Sequence, residues 1–459
     1  MKAFFKFIWS FIKPKNFFHY DNFLSLGLFI LIFIGIAKVN IEFLNPISDA
    51  FSDVELTDIV YSQFGKNNEY REIKNGEGGY DTSITIVNIG HLNRGEIATM
   101  ISYISQFEPK VIGLDASFDG PKDSIMDLYM ADVIKNTPNL VMTCKGDGFD
   151  TKSLEKTNGA IKFKNIENNY SLFHSVCKYH GFVNMHTKHL SSSSVVDDEN
   201  FQNEDTWIDD EFVMCRKFFP KAYIESDKSY LNFFSVEVAK LYSNKKVDEL
   251  LKRNKTTEIV NYIGYTQNFK SQKSYFKVYE WTSILLNEDT HIDANDFKNK
   301  IVLLGYLGEF IDDNVTTAED RFFTPLNEKY IGKAHEDMFG VVVHANIIST
   351  ILKGIYIDEM PDVFGKIFGL IVAFFVFAIY RPIYYDYKVW YDGVTKLIGI
   401  IVVFLIMCLI GYVFWKYDYE IKFSPIFIGV ILLAGDYLEI YYGLGKNIAR
   451  KLKKKKIEV

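Results

Sequence analysis

The side chains in this sequence that are best placed to do chemistry are polar residues at the ends of short apolar runs. Asn88 ends the β-rich run SITIVN, and Asp115 follows the run VIGL. A loop after the run IVLLG holds Asp320 and Thr324, and His344 lies near the start of a stretch that is apolar at helical spacing. Because ligands of open parallel sheets bind beyond the carboxyl ends of the strands, we expect Asn88, Asp115 and the loop that holds Asp320 and Thr324 to converge at one edge of a sheet.

Two interpretations of this group stay open at the level of the sequence. In the first, the carboxylates of Asp115 and Asp320 and the polar groups of Asn88, Thr324 and His344 bind a cation or a small polar molecule. In the second they are structural: the carboxylates cap helices or accept hydrogen bonds from loop backbone, and His344 is a packing residue. The sequence does not say whether a metal is bound. The first interpretation requires Asp115 and Asp320 to lie near one another in the fold.

Motifs of catalysis are missing from the sequence. It contains no G-x-S-x-G nucleophile elbow, no phosphate-binding P-loop and no H-E-x-x-H zinc motif. The pattern G-Y-L-G at Gly305–Gly308 is too short to predict phosphate binding. No nucleophile stands beside an attendant base, so we expect a protein that is not an enzyme and needs no cofactor. Cys144, Cys177 and Cys215 match no zinc spacing and are expected to be unpaired core residues.

The elements that must position these residues follow from the spacing of apolar side chains. Short apolar runs predict strands at 83–89, 111–114, 140–143, 258–263 and 300–305. Apolar residues at helical spacing predict helices over 95–107 and 124–135. The alternation of strands and helices predicts parallel strands joined by right-handed crossovers. The expected fold class is therefore α/β, with a parallel or mixed sheet that has helices on both faces.

Four apolar segments predict transmembrane helices, and they are 23–44, 363–384, 397–415 and 423–444. No small-residue cleavage site follows the first, which favours an uncleaved anchor over a signal peptide. The last contains Asp436 and Glu439, which share a helix face; ionisable residues inside a span usually face protein or water. In the alternative interpretation the span ends near Gly435 and both acids lie among the lipid headgroups. Residues 1–22, aromatic with interleaved lysines, predict an interfacial helix or an ordinary basic flank.

The charges that flank these segments predict the topology. The N-terminal residues, the loop between the second and third spans and the tail 445–459 are basic and lie on the same side of the membrane. The positive-inside rule assigns that side to the cytoplasm, so residues 45–360 form one extracytoplasmic domain of the inner membrane protein. This domain has a net charge of about −15. A nucleic-acid reader concentrates positive charge on its folded domain, so nucleic acid is not an expected partner.

The same landmarks resemble a known family. The motifs D-R-F-x-T-P at Asp320–Pro325, G-V-x-x-H-A-N at Gly340–Asn346, VIGLDASF around Asp115 and GFVN at Gly181–Asn184 are similar to those of the second class of CHASE domain. The resemblance covers roughly Leu44 to Gly354. Members of that family are extracytoplasmic sensory modules of bacterial receptors, and typical members continue into a cytoplasmic enzyme or other output domain. This sequence departs from that pattern, because it ends in a basic tail.

The resemblance therefore implies a bacterial inner-membrane sensor that detects a signal or ligand and passes it through its transmembrane helices to a separate protein partner. Such a partner is expected in the membrane or the cytoplasm, beside the membrane lipid itself and a small-molecule or cation ligand. The alternative is a non-catalytic structural subunit of an envelope complex that reuses the sensor fold, because a fold does not fix a function. A homo-oligomer is compatible with both. The sequence does not specify the ligand or the output partner.

Overall fold

A computed structural model describes residues 18–37, 56–62, 64, 81–149, 159–185, 214–266, 274–286, 292–310, 320–327, 336–386, 389–423 and 425–455. The chain divides into two compact units, one made of Met1–Ser52 with Asp358–Val459 and the other of Asp53–Ile357. Parts of several predicted segments lie outside the described residues: 1–17 of the basic N-terminal segment, 38–44 of the first span, the loop residues 311–319 and the last four residues of the tail.

The helices are α1 Tyr20–Ala37, α2 Leu56–Ser62, α3 Arg94–Ser105, α4 Ser124–Asn136, α5 Ser171–Val176, α6 Phe234–Tyr242, α7 Asn244–Lys252, α8 Trp281–Leu285, α9 Gly340–Lys353, α10 Asp362–Asp386, α11 Tyr391–Tyr417 and α12 Pro425–Lys455. The strands are β1 Ile84–Asn88, β2 Val111–Asp115, β3 Leu140–Phe149, β4 Ile161–Glu167, β5 Tyr179–Phe182, β6 Lys217–Phe218, β7 Lys221–Ile224, β8 Ser229–Asn232, β9 Glu258–Ile259, β10 Tyr265–Thr266, β11 Ser274–Tyr279, β12 Ile301–Gly305, β13 Arg321–Phe322, β14 Met338–Phe339, β15 Asp358–Glu359 and β16 Tyr419–Glu420.

The unit Asp53–Ile357 is built on one mixed sheet, as the alternation of elements predicts. Its strand order is β10-β11-β1-β12-β2-β3-β4-β7-β8, and β5 also pairs with β3. The strands from β10 to β3, together with β5, run parallel, whereas β3 pairs with β4, and β7 with β8, in antiparallel fashion. The late strand β12 lies between β1 and β2. This insertion brings the loop after β12 to the loops that follow the two early strands.

One predicted strand differs from the structure. Within 258–263 only Glu258–Ile259 forms a strand, and it pairs antiparallel with β6 in a separate two-stranded sheet. Beyond it, the side chain of Asn346 accepts hydrogen bonds from the backbone N–H groups of Ile263 (2.8 Å) and Gly264 (3.2 Å). These two N–H groups donate to a side chain of α9 instead of to a neighbouring strand. The segment therefore leaves the sheet after Ile259, although its residues stay buried.

Side chains of the parallel strands alternate between two buried faces. One face packs against α3 and α4 in a core that includes Val87, Ile112, Leu114, Val302, Leu304, Ile97, Ile101, Met130 and Ile134. The other face lies against α6 and α9. A Cβ atom added to Gly113 would lie 3.0 Å from Phe234 of α6, and one added to Gly305 would lie 2.5 Å from Val341 of α9. The cysteines of this unit are, as predicted, buried and unpaired: Cys144, Cys177 and Cys215.

The other unit consists mainly of apolar helices. Among the described residues, three segments are long and apolar enough to cross a membrane, namely Asp362–Asp386, Tyr391–Tyr417 and Phe427–Gly445 within α12. The apolar helix α1 is shorter. Small residues let these helices pack closely, as in other membrane proteins: a Cβ atom added to Gly435 would lie 2.6 Å from Thr395 Oγ1. Helix α12 continues to Lys455, past the predicted end of the last span at residue 444.

Candidate ligand site at the carboxyl edge of the sheet

The register of the sheet places the ends of three parallel strands side by side. Asn88 of β1 pairs with Gly305 of β12, and Gly305 pairs with Asp115 of β2. Gly305 has no side chain, and Val341 of α9 fills the space where its Cβ atom would lie. The N-terminal turns of α9 therefore lie directly over the row formed by these three residues. The predicted convergence of Asn88, Asp115 and the loop after β12 depends on this register.

Asp115 faces the imidazole of His344 on α9. The distance from His344 Nε2 to Asp115 Oδ2 is 3.8 Å, too long for a hydrogen bond, and the exposed fractions of the two side chains are 2% and 15%. The other ring nitrogen, Nδ1, is hydrogen-bonded to Ser235 Oγ at 2.7 Å. The rings of Phe233 and Phe234 lie 5.3 and 5.0 Å from the imidazole. Burial lowers the pKa of His344 to about 3, so the imidazole is neutral.

Asp320 supplies a second carboxylate beside the first residue of α9. Its carbonyl oxygen accepts a hydrogen bond from the Gly340 N–H at 3.0 Å, and both carboxylate oxygens lie 3.1 Å from the position of a Cβ atom on Gly340. Asp320 has a left-handed backbone (φ 55°), a conformation that Asp and Asn adopt more readily than most residues. No side chain caps α9, so the partial positive charge of its N-terminus faces this carboxylate.

The two carboxylates act on each other electrostatically. Burial, and after it repulsion from Asp320, raises the pKa of Asp115 well above its usual range. Asp320 is exposed as a residue, but desolvation of its carboxyl group by the surrounding atoms raises its pKa to about 6, and the positive charge of Lys145 on β3 opposes that rise. Both carboxylates lie beside the first turns of α9, Asp320 at Gly340 and Asp115 at His344, although about two hundred residues separate them in the sequence. We use the name Asp115–Asp320 site for these two residues with His344.

Thr324 belongs to a neighbouring network rather than to this site. Its N–H and its hydroxyl both donate to the carboxylate of Asp337, at 2.8 and 2.6 Å, and Tyr265 Oη donates to the same carboxylate at 2.8 Å. Thr324 is fully buried. Burial outweighs these hydrogen bonds and raises the pKa of Asp337 to about 6. This network joins the D-R-F-x-T-P loop to the residue that precedes β14. Thr324 therefore holds that loop in place.

Asn88 is also engaged by its own surroundings. Its side-chain oxygen accepts hydrogen bonds from the N–H groups of Gly90 (3.0 Å) and Leu307 (2.9 Å), and its amide donates to Glu280 Oε2 and to the carbonyl of Gly308. All the hydrogen-bonding capacity of a buried amide is used in this way. Asn88 ties the loops after β1 and β12 together and leaves no group directed at the Asp115–Asp320 site.

The structure adds two residues that the sequence did not single out. Ser235 fixes His344 from the second residue of α6, and Lys145 supplies the positive charge that acts on Asp320. Neither belongs to a recognisable motif, because each reaches the site from a separate element. Within the part of the chain that the structure describes, no group of three or more His, Cys, Asp or Glu side chains has the arrangement of a metal site.

The intramembrane acids predicted from the sequence lie on α12. Asp436 Oδ1 is 3.6 Å from the ammonium of Lys396 on α11, and the exposed fractions of these two side chains are 47% and 53%. Lys396 also pairs with Asp392, one turn earlier on its own helix, at 2.7 Å. Glu439 is exposed. Ionisable residues in membrane helices commonly pair in this way, which lowers the cost of placing each in the bilayer.

Comparison with known proteins identifies one family. The sequence model of the CHASE2 domain matches residues 81–379, more than half of the chain. The match begins at Asp81 rather than near Leu44, and it runs past Gly354 into α10. No curated protein matches, and no solved structure matches. The matched region contains the Asp115–Asp320 site and most of α10, the first of the long apolar helices. This chain belongs to the CHASE2 family of sensory domains and is a membrane protein.

Proposed function

We propose that this protein is a sensor of the bacterial inner membrane whose extracytoplasmic domain binds a small polar molecule or cation at the Asp115–Asp320 site. The observation that carries the proposal is the state of Asp115. Within the described residues no hydrogen bond reaches its carboxylate, and the Nε2 atom of His344 stays 3.8 Å away from it. A largely buried carboxylate without a hydrogen-bond partner lowers the stability of the folded chain. A ligand that supplies the missing hydrogen-bond partner restores the lost stability.

Helix α9 connects this site to the membrane segments along the chain. Gly340 and His344 in its first turns contact the site, and its last residue is Lys353. Nine residues later the chain enters α10 at Asp362. A ligand that moves the first turns of α9 therefore acts on the element that leads into the membrane. A partner protein then receives the change through the membrane helices, the loop between α10 and α11, or the basic tail.

The site is proposed to bind rather than to catalyse. Ser235, His344 and Asp115 form a series of residue types known from hydrolases. Ser235, however, is fully buried, and its hydroxyl meets the histidine on the side away from Asp115. A nucleophile must reach its substrate, and this hydroxyl has no exposed surface for one. Of the three side chains, Asp115 is the most accessible to solvent, which supports a binding role.

The binding proposal is tested by thermal melts of the purified full chain in detergent against a broad panel of small polar molecules and metal ions. At least one compound is expected to raise the melting temperature of the native chain and of Asp132→Asn, which removes an exposed carboxylate of α4. The same compound should leave Asp115→Asn unchanged. If every stabilising compound acts equally on Asp115→Asn, the proposed site is wrong.

Topology and output are tested separately. A reporter that is active only outside the cytoplasm should be active when fused after Asn45 and inactive when fused after Val459. The reverse result would place the domain in the cytoplasm and remove the sensor proposal. Affinity purification from native membranes with mass spectrometry then identifies the partner. Recovery that changes between the native chain and Asp115→Asn supports sensing, whereas a stoichiometric partner unaffected by the substitution favours a structural subunit.

A further inference from the structure

We propose that the ligand of the Asp115–Asp320 site is a small protonated amine that carries a hydrogen-bond-accepting oxygen close to its ammonium group. The inference rests on the proposed function and specifies the chemical class of the ligand. Two carboxylates face the position where the ammonium would bind, and one buried N–H group faces the position of the oxygen. Among the described residues neither Asp115 nor His344 Nε2 has a hydrogen-bond partner of its own.

The hydrogen bond to Ser235 determines which nitrogen of His344 carries the proton. Ser235 Oγ is fully buried, and among the described residues its hydrogen bond is to His344 Nδ1. If the hydroxyl donates to Nδ1, its proton is satisfied and the imidazole proton sits on Nε2. In the opposite arrangement the buried hydroxyl proton would be left without an acceptor, at a cost of about 1–3 kcal/mol. Nε2 is therefore an N–H donor directed towards Asp115.

An ammonium group matches the two carboxylates. It has three N–H donors and a positive charge, so one ammonium can bind Asp115 and Asp320 together and remove the repulsion between them. The charge that now acts on Asp320 comes from Lys145, which is exposed and lies on a different element, β3. Lys145 is thus a weak competitor of the ligand, and its removal should strengthen binding.

Other ligand classes fit less well. His344 could bind a metal such as zinc only through a lone pair on Nε2, and the Ser235 hydrogen bond leaves a proton on that nitrogen. The described residues also provide no group of three side chains arranged to hold a metal. An anion would be repelled by both carboxylates. A simple alkylamine would satisfy the carboxylates but would leave the N–H of His344 without an acceptor.

The experiment is calorimetric titration of the full chain in detergent with ethanolamine, ethylamine and ethanol, at constant ionic strength. Ethanolamine should bind, ethylamine should bind roughly tenfold more weakly because one hydrogen bond is lost, and ethanol should not bind measurably. Asp115→Asn and Asp320→Asn should each weaken ethanolamine binding at least tenfold. Asp132→Asn, which removes one exposed carboxylate elsewhere in the domain, should bind as the native chain does, and Lys145→Gln should bind more tightly.

Parallel titrations with magnesium, calcium and zinc chlorides separate this inference from the proposed function. If a metal ion binds with the same dependence on Asp115 and Asp320 while the amines do not bind, the amine class is wrong and the sensor site stands. If ethanolamine binds Asp115→Asn as tightly as the native chain, the amine does not use this site and the inference is overturned. If neither amines, metal ions nor the wider panel distinguish Asp115→Asn from the native chain, both proposals fail.

Discussion

Two carboxylates contact opposite ends of helix α9, and they have opposite surroundings. Asp81 meets the C-terminal end, where its carboxylate accepts hydrogen bonds from Lys353 Nζ at 2.8 Å, from the hydroxyls of Ser349 and Ser83, and from the Ser83 N–H at 2.9 Å. Asp115 meets the N-terminal end, where His344 Nε2 lies 3.8 Å from its carboxylate and no described residue forms a hydrogen bond with it. Among the described residues, the carboxylate at the C-terminal end of α9 has hydrogen-bond partners and the Asp115 carboxylate at the N-terminal end has none.

The pKa values of the two groups differ in direction for this reason. Burial by itself would raise the pKa of Asp81, but the charge of Lys353 and the hydrogen bonds from Lys353, Ser349 and Ser83 lower it below its usual range. Burial raises the pKa of Asp115, and repulsion from Asp320 adds to the effect. A buried carboxylate with hydrogen-bond partners stabilises the fold, whereas one without partners lowers the stability of the fold. The difference marks the Asp81 end as an anchor and supports the proposal of a ligand site at the Asp115 end.

The largest expected effect is at the anchor. Lys353→Met leaves the carboxylate of Asp81 buried without its cation and should lower the free energy of unfolding by about 3 kcal/mol. Pulse proteolysis of the full chain in urea measures the change. Lys246→Met is the matched control, because Lys246 forms a largely exposed pair with Glu249 on α7 and should lose less than about 1 kcal/mol. Equal losses in both variants would show that Asp81 is not an anchor.

The second prediction concerns the close contact of α9 with the sheet beside Asp115. Gly305→Ala places a methyl group 2.5 Å from the position of Val341 Cβ, so the helix must move. We expect a loss of about 1–3 kcal/mol in the urea experiment, as in other overpacked cores. Adding Val341→Ala makes room for the methyl group and should recover part of the loss. A double variant that is less stable than the sum of the two single changes would contradict the contact.

A smaller effect is expected at the hydrogen bond behind His344. Ser235→Ala leaves Nδ1 of the buried imidazole without its partner and should cost about 1 kcal/mol. Ser175→Ala is the control, since Ser175 is exposed and, among the described residues, its hydroxyl donates to the Leu172 carbonyl alone; it should change stability by less than about 0.5 kcal/mol. A neutral Ser235→Ala would mean that packing against Phe233 and Phe234, not this hydrogen bond, holds the imidazole in place.

Much of this architecture could be predicted because the parallel strands are buried on both faces and read as short apolar runs. The runs around Ile86, Ile112 and Val141 are such strands, and each is followed by a polar end or a helix. What the runs do not encode is their order in the sheet. The strand at Ile301–Gly305 is far along the chain, yet it pairs with β1 and β2, and only the packed structure determines that insertion.

The site was predictable in part for the same reason. Asp115 and Asp320 each follow or precede a strand, so their approach follows from parallel pairing. His344 looked like a packing residue, because its neighbours in the sequence are apolar; in the structure it is buried, yet it also faces Asp115. Ser235 and Lys145 reach the site from α6 and β3. Their part depends on tertiary contacts between elements far apart in the chain, which no local pattern records.

The smallest effect, and the most direct comparison of the two ends, is the dependence of stability on pH. The pKa of Asp320 is about 6 in the folded chain, above its usual value near 3.9, so the folded state holds more protons than the unfolded state between these values. The free energy of unfolding contributed by this group is therefore highest at low pH and falls as the pH rises through about 6, and Asp115 acts in the same direction. Asp81 has the opposite sign, but its contribution changes only at and below its usual pKa. His344 also has the opposite sign, because burial lowers its pKa to about 3 and the unfolded chain holds that proton up to its usual pKa near 6.5; it reduces the fall in the native chain and in Asp320→Asn alike. Urea midpoints of the unit Asp53–Ile357, read by pulse proteolysis of the full chain, should fall between about pH 4.5 and 7. The fall should be smaller in Asp320→Asn, where asparagine also tolerates the left-handed backbone and the part due to Asp337 remains. If the urea midpoint depends on pH equally in the native chain and in Asp320→Asn, the carboxylates of Asp115 and Asp320 do not repel each other in one site.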